Sequence, residues 1–370
     1  MKFSKSLVAS AIVLTLASGA HAEVKTDGLL EIYGRASFSV DKLDDGDKYS
    51  RMNLSSNASR LGFRGSKKIG ELTGIWQIEQ EIQFNLSNGT SPAGIDDKDT
   101  NNRLASRDTF AGLQSDFGTV RAGKFDTPFK VAREPFNLFG DQLGDMRNLT
   151  RVGNGKFDER LNNTLEYQTP VMGGFQAKLA YSFHPGTSAT ITTSGADKQE
   201  DATSLSLGYK AGNLDAALAY EQHGADATTG KRNASRAALA WKLMPELRVM
   251  GFYQTTDAQT SSANDSAKIT GVGLEYMVTP KVALKAHYLD RKADKANSDA
   301  NMYTVGTEYR YNKELRFYAS YAGVDNGSAA KLAPWTEGRT ATAPVADSAL
   351  GKTTTGLSVG MRYDRSEEHT

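Results

Sequence analysis

The chain has 370 residues, with 44 Lys and Arg against 43 Asp and Glu, and it contains no Cys. The nearly neutral balance argues against a nucleic-acid-binding protein, and the lack of cysteine excludes disulfide scaffolds, thiolate zinc sites and cysteine nucleophiles. Mean hydropathy is −0.49, and the long apolar run lies at the extreme N-terminus. This pattern excludes a helical membrane protein.

The N-terminal run has the three parts of a secretory signal peptide. Two lysines precede an apolar stretch over residues 7–16, and the small-x-small sequence Ala20-His21-Ala22 follows. This arrangement predicts a signal peptide over residues 1–22, with a mature, exported chain that begins at Glu23. A short transmembrane anchor is the alternative, but the apolar core is too short for one.

Apolar and polar residues alternate along most of the remaining chain. Near its start, Leu30, Ile32 and Phe38 share one face, whereas Glu31 and Arg35 share the other. A period of two with one polar face is typical of a half-exposed strand. Sixteen such segments are predicted, near residues 29–40, 51–66, 73–85, 102–114, 117–126, 160–170, 174–185, 202–211, 213–223, 235–244, 246–256, 267–279, 281–292, 300–312, 314–325 and 353–364.

The connections between these segments alternate in length. Short turns such as 115–118 and 171–174 contain Gly, Pro or Asn, and long polar stretches such as 185–201 and 325–352 lie between them. An even strand count with short turns at one end and long loops at the other is typical of an outer-membrane barrel. The sequence therefore predicts an all-β fold, an antiparallel transmembrane barrel of sixteen strands over residues 23–364.

A soluble β-sandwich would also show alternation, but its apolar faces would form a shared core of Val, Leu and Ile. The outward positions predicted here are instead rich in tyrosine, together with small Ala and Gly residues. Aromatic side chains at these positions would form the girdles of a membrane barrel. The girdle positions are Tyr181, Tyr209, Tyr220, Trp241, Tyr253, Tyr276, Tyr288, Tyr309 and Tyr363.

The polar faces of the predicted strands should direct charged side chains into a water-filled lumen. By strand parity, the inward set is Arg35, Arg60, Arg64, Arg107, Arg160, Arg310 and Arg362 with Glu79, Glu81, Glu166, Glu275 and Glu308. The loop 127–159 combines aromatic residues such as Phe136 and Phe139 with several acids. If its aromatics pack on the barrel wall, its acids would face the wall arginines and create a transverse field. The alternative is an outward loop that packs on its own aromatics.

The chain resembles the Gram-negative general porins, which are trimeric, sixteen-stranded diffusion channels of the outer membrane. The matching stretches are spread over almost the whole mature chain in the order and spacing of that family. They are 31–35 (EIYGR), 59–65 (SRLGFRG), 110–113 (FAGL), 117–118 (FG), 122–126 (AGKFD), 139–141 (FGD), 163–167 (NTLEY) and 359–363 (VGMRY).

The resemblance implies that the loop 127–159 folds into the barrel and forms a constriction between basic wall residues and acidic loop residues. Carried over motif by motif, the basic wall residues are Arg35, Arg60, Arg107, Lys124 and Arg160, and the acidic loop residues are Glu134, Asp141 and Asp145. It further implies a homotrimer in contact with outer-membrane lipid and lipopolysaccharide. Passive diffusion of ions and small hydrophilic solutes would need no cofactor and no metal.

Two features depart from the family pattern. Asp108 shares a strand face with Phe110, a face expected to meet lipid, where an acid is costly. The chain also ends in a polar tail, residues 365–370, instead of an aromatic residue. We interpret this tail as foreign read-through in place of a lost final aromatic.

Three other functions remain possible from the sequence. An enzyme would have to use His184, His223 or His287, none of which lies in a nucleophile or metal-ligand motif. An oligosaccharide-selective channel would need a file of aromatics along the lumen, and the inward set has few beyond Tyr33 and Tyr318. An adhesin or structural barrel would use its loops to bind other surfaces.

The ion preference of a channel depends on the charges at its narrowest point. Glu134, Asp141 and Asp145 are expected there, and they favour a weak cation preference.

Overall fold

A computed structural model describes residues 30–82, 107–153, 155–183, 201–224, 231–258, 264–339 and 345–366. The predicted signal peptide and the start of the mature chain lie outside the described residues. So do His184, the first residues of the predicted segment 102–114 and the last four residues of the polar tail.

Strands make up most of the described chain. They are β1 (Glu31–Asp44), β2 (Ser50–Ser56), β3 (Arg60–Ile69), β4 (Leu72–Glu81), β5 (Thr109–Ser115), β6 (Gly118–Asp126), β7 (Arg160–Gln168), β8 (Phe175–Ser182), β9 (Ala202–Ala211), β10 (Leu214–His223), β11 (Arg232–Lys242), β12 (Leu247–Asp257), β13 (Ala267–Thr279), β14 (Val282–Ala293), β15 (Ala300–Arg310), β16 (Leu315–Asn326) and β17 (Thr354–Ser366). The short helices are α1 (Pro128–Val131) and α2 (Arg147–Thr150), with 3-10 turns at Glu134–Phe136 and Asp347–Ala349. In the described part of the chain, no helix is long and apolar enough to cross a membrane.

The strands form one closed antiparallel sheet, in which β17 pairs with β1. β1 also pairs with both β2 and β3, so these two are halves of a single wall strand that is interrupted between Ser56 and Arg60. Ala58 in the interruption has φ of 54°. The wall therefore has sixteen strands, which confirms the predicted class and number. The first and last strands thus pair with each other, as closure of a barrel in hydrocarbon surroundings requires.

The two faces of the wall differ as the alternation predicts. Large apolar side chains on the outer face are exposed, for example Val40, Leu218 and Val359 at 47%, 59% and 60%. Tyr253 and Tyr288 of the predicted girdles are exposed beside them. Small polar side chains such as those of Ser39 and Ser358 are buried on the inner face.

The predicted orientation of β5 is wrong. Ala111 and Leu113 are the exposed residues, and the ring of Phe110 lies 4.8 Å from the Arg121 guanidinium on the lumen side. Asp108 likewise pairs with Arg160 inside the barrel and does not meet lipid. The reason is that the strand begins only at Thr109, so strict alternation does not apply to the residues before it.

The last strand is longer than predicted. It was expected to end at residue 364, but Arg365 and Ser366 continue the ladder opposite Gly34 and Tyr33 of β1. The first two residues of the polar tail thus take part in closing the barrel.

The core of the molecule lies inside the barrel. β6 ends at Asp126 and β7 begins at Arg160, and the connection between them packs on the inner face of β11 to β16. The ring of Phe136 lies 5.3 Å from that of Phe252 and stacks on the His287 imidazole at 5.9 Å. Phe139 contacts the same imidazole edge-on at 4.9 Å. The aromatic residues of this loop, called the third loop below, therefore hold it against the wall opposite its own ends.

Replacing Gly271 with alanine is expected to destabilise this packing. A Cβ atom there would lie 2.8 Å from the Phe136 ring, and overpacking of this kind costs about 1–3 kcal/mol. Gly251 provides the control, because a Cβ atom on that outward-facing residue meets nothing within 4 Å. Its alanine variant should stay within about 0.5 kcal/mol of the parent. Urea unfolding of the refolded protein in detergent measures both, and equal losses would contradict the packing described here.

Candidate functional site

A buried ion pair fixes the two ends of the third loop to β11. The Arg236 guanidinium donates to Asp158 at 2.7 Å and to the Phe129 carbonyl at 2.9 Å, and it lies 4.0 Å from the centre of the Phe129 ring. Both side chains of the ion pair are fully buried. Burial tends to raise the pKa of Asp158, but Arg236 outweighs burial and holds that pKa below its usual value.

A second cluster of ion pairs orders the middle of the third loop. Arg147 donates to Asp141 and to Asp145, each at 2.7 Å. Asp145 also accepts from the Asp141 backbone N–H at 2.7 Å, and Asp141 has φ of 61°. The fully buried Asp145 therefore orders the turn, while the turn presents Asp141 to the lumen. Asp141 reaches the wall there, 3.6 Å from Arg35.

The third loop and the wall enclose a polar cavity of ≈ 350 Å³. Cations outnumber acids in its lining by eleven to five. The cations are Arg35, Arg60, Arg107, Lys130, Arg133, Arg147, Arg160, Lys285, Arg316, Arg339 and Arg362. The acids are Glu81, Asp126, Glu134, Asp141 and Glu308.

Further carboxylates stand behind these cations. Six acids that do not line the cavity lie within salt-bridge distance of a lining cation: Asp41, Glu79, Asp108, Asp145, Asp158 and Asp364. Eleven lining cations against eleven acids make the cluster neutral as a whole. Four of the six further acids, Asp41, Glu79, Asp145 and Asp158, have side chains that are 6% exposed or less, whereas those of Asp108 and Asp364 are 24% and 29% exposed.

The structure brings six of the eight predicted constriction residues to this cavity. The six are Arg35, Arg60, Arg107, Arg160, Glu134 and Asp141. Asp145 is buried beneath them. Lys124 is not in the lining. It lies between Gly123 and Phe125, where the register of β6 against β7 shifts. Phe125 is fully buried, with its ring 4.0 Å from the Arg121 guanidinium, so the lumen positions fall on either side of Lys124.

Sequence reasoning missed several of the lining cations. Lys130, Arg133 and Arg147 come from the third loop itself, and counting bases as well as acids in that loop would have found them. Lys285 shares a face of β14 with buried residues, so strand parity would have predicted that it faces the lumen. Arg339 lies in a loop far along the sequence, and no local pattern marks it.

The geometry agrees with comparisons to known proteins. The sequence profile of the Gram-negative porin family matches residues 9–329. The chain belongs to this family. It is 29% identical to outer membrane porin protein 32 of Delftia acidovorans, over 97% of this chain and 99% of that protein. An anion-selective porin from Comamonas acidovorans has the same fold, with a TM-score of 0.74 and 21% identity over 91% of this chain and 99% of the other. The trimer form of OmpT from Vibrio cholerae superposes with a TM-score of 0.63 and 16% identity, over 91% and 99% of the two chains.

This porin is an outer-membrane diffusion channel. Family membership and the closed barrel agree on that function, and passage of small solutes is in keeping with a polar, charge-lined lumen. Within the described ranges, no three His, Asp or Glu side chains are grouped to hold a metal ion.

Replacing Asp158 with asparagine is expected to destabilise the protein by about 3–5 kcal/mol, because it leaves the Arg236 charge buried without its partner. Since the pKa of Asp158 is lowered in the folded state, its contribution is complete above the unfolded value of about 3.9 and is lost as pH falls through the folded value. The urea midpoint of the parent should therefore fall on acidification more than that of the variant.

Asp215 provides the control for this prediction. It lies 3.7 Å from Lys210 and 3.9 Å from Arg248, with its side chain 30% exposed. Such an exposed pair contributes about 0–1 kcal/mol, so Asp215→Asn should have little effect. A loss for Asp158→Asn as small as that of the control would show that the pair does not anchor the loop.

Proposed function

We propose that the cavity beside the third loop is the constriction of the channel and that it prefers anions. The excess of cations over acids in its lining carries this proposal. It reverses the weak cation preference that the acids of the third loop suggested, since three further cations come from the same loop.

The arrangement of the ion pairs explains how a nearly neutral cluster selects by charge. The interaction energy between a permeating ion and a fixed charge becomes weaker as the distance between them grows. A permeating ion meets eleven cations and five acids in the lining, and four of the further carboxylates, those of Asp41, Glu79, Asp145 and Asp158, are buried away from it. Walls of low dielectric constant focus this difference into the lumen. Small anions should therefore enter more easily than cations of the same size.

The predicted site residues take different roles in this proposal. Arg35, Arg60, Arg107 and Arg160 form one basic wall, and Asp141 joins the third loop to that wall through Arg35. Glu134, with a side chain that is 61% exposed, is the lining acid most open to solvent. Asp145 supports the turn, and Lys124 has no part in selection.

A substrate-selective channel is less well supported. The two lumen tyrosines that the sequence indicated make wall contacts: Tyr33 donates to Glu79 at 3.0 Å, and Tyr318 accepts from Asn57 at 2.6 Å. Neither is part of a stacked file along the described lumen. General diffusion, without binding of an oligosaccharide, is the function that this geometry supports.

The assembly and its surroundings also belong to the proposal. We propose a homotrimer in contact with outer-membrane lipid and lipopolysaccharide, exported by means of the signal peptide over residues 1–22. The trimer form of OmpT supports the oligomeric state, and the exposed apolar belt of the wall supports contact with lipid.

Replacing Lys285 with glutamine should lower the preference for anions. Lys285 lies 2.8 Å from Glu308, and its loss leaves that acid in the lining. The anion-to-cation permeability ratio should fall by roughly twofold, as expected when one charge is removed from a ring that selects by charge. Reversal potentials of the purified porin in a planar bilayer measure this ratio. Lys210→Gln is the control, because its side chain is 82% exposed outside the cavity. Equal ratios for both variants would contradict the assignment.

A further inference from the structure

The loop between β16 and β17 also enters the barrel. Its residues 333–339, called the docked segment below, lie between the third loop and the wall formed by β1, β2 and β16. The indole of Trp335 is buried with Leu43 of β1 and Leu143 of the third loop. The Gly144 backbone N–H donates to the carbonyl of Pro334 at 2.7 Å. The docked segment thus contacts both the wall and the loop that forms the constriction.

Arg339 ties the end of the docked segment to the wall. Its guanidinium forms an ion pair with Asp41 of β1 and donates to Ser39 at 3.2 Å, Ser55 at 2.8 Å and Asn57 at 3.2 Å. Arg339 is 2% exposed and Asp41 is fully buried. Breaking a buried pair of this kind leaves an uncompensated charge, so the docked position depends on both partners.

A second buried pair ties the same segment to the third loop. Arg151 donates to Glu337 at 2.5 Å, and the side-chain amide oxygen of Asn148 accepts from the Glu337 backbone N–H at 2.9 Å. Gly338 fits because it has no side chain: a Cβ atom there would lie 2.2 Å from the Arg147 guanidinium, and its φ of 74° favours glycine. The segment is therefore closely fitted between its two neighbours.

We propose that the docked segment is a second element of the constriction and that the Arg339–Asp41 pair keeps it there. The evidence is that Gly338 and Arg339 line the same cavity as the third loop. Arg339 also forms its ion pair with Asp41 of the wall strand β1. Arg339 thereby has two effects: it holds the segment in the lumen, where it narrows the channel, and it adds one positive charge to the lining. The inference rests on the proposed constriction, but the segment's effect on channel size does not depend on the sign of the ion preference.

Three variants separate the two effects. Asp41→Asn weakens docking and keeps the arginine charge, whereas Arg339→Gln weakens docking and removes the charge. Arg316→Gln removes a charge from the same lining, and Arg316 pairs with Glu308 and Asp364 of the wall, away from the docked segment. All three are measured as single channels in a planar bilayer, after circular dichroism and gel mobility have shown that the barrel is folded.

We expect a single-channel conductance about 1.5-fold larger for Asp41→Asn and for Arg339→Gln, because the conductance of a water-filled pore follows its open cross-section. Arg316→Gln leaves the docked segment in place, so it should not show this increase, and Lys210→Gln, whose side chain lies outside the cavity, should keep the parent conductance. Anion preference should fall in Arg339→Gln and Arg316→Gln, each of which removes a cation, and it should fall less in Asp41→Asn, which keeps the arginine and removes an acid. A fourth variant, in which residues 333–339 are replaced by a Gly-Ser linker of equal length, tests docking if either point variant does not fold.

Parent conductance in the folded docking variants and in the linker variant would overturn the proposal. A wider channel with unchanged ion preference in Arg339→Gln would overturn the charge contribution alone. Cation preference in the parent, together with a wider channel in Asp41→Asn, would refute the anion-selective function and leave the docked segment as an element of the constriction.

Discussion

Buried ion pairs between the inward loops and the wall determine both the width and the charge of this channel. A closed sixteen-stranded sheet by itself leaves a wide lumen. The third loop fills part of that lumen because Arg236 holds Asp158 at its end and Arg35 meets Asp141 at its middle. An isolated charge in such surroundings is costly, so each pair favours one position of the loop.

The same pairs give the lumen its polarity. Each cation of the lining binds a carboxylate, and because several of those carboxylates, such as Glu79 and Asp41, are buried in the wall, the lining itself keeps more cations than acids. A loop held by apolar packing alone would not produce this excess. Aromatic packing of Phe136 and Phe139 places the third loop, and the ion pairs decide which groups it presents.

The sequence predicts the barrel well because period-two alternation is a local property, and a slip of one residue would turn every side chain to the other face. It fails where alternation is interrupted. Asp108 precedes β5 and Phe110 lies at its start, so parity misplaces them. Lys124 is predicted by the family motif alone, and it lies at a shift in register outside the lining. Arg339 could not be found from its neighbours, because its partner Asp41 is some 300 residues away in the chain. Inward loops depend on such long-range pairs, which no local pattern reveals.

The reversal potential of the parent porin in a planar bilayer tests the central claim most directly. With KCl more concentrated on one side, a channel whose lining holds more cations than acids should give a reversal potential with the sign expected when chloride is the more permeant ion. A reversal potential with the sign expected for potassium would show that the excess of cations in the lining does not control permeation, and it would contradict the account.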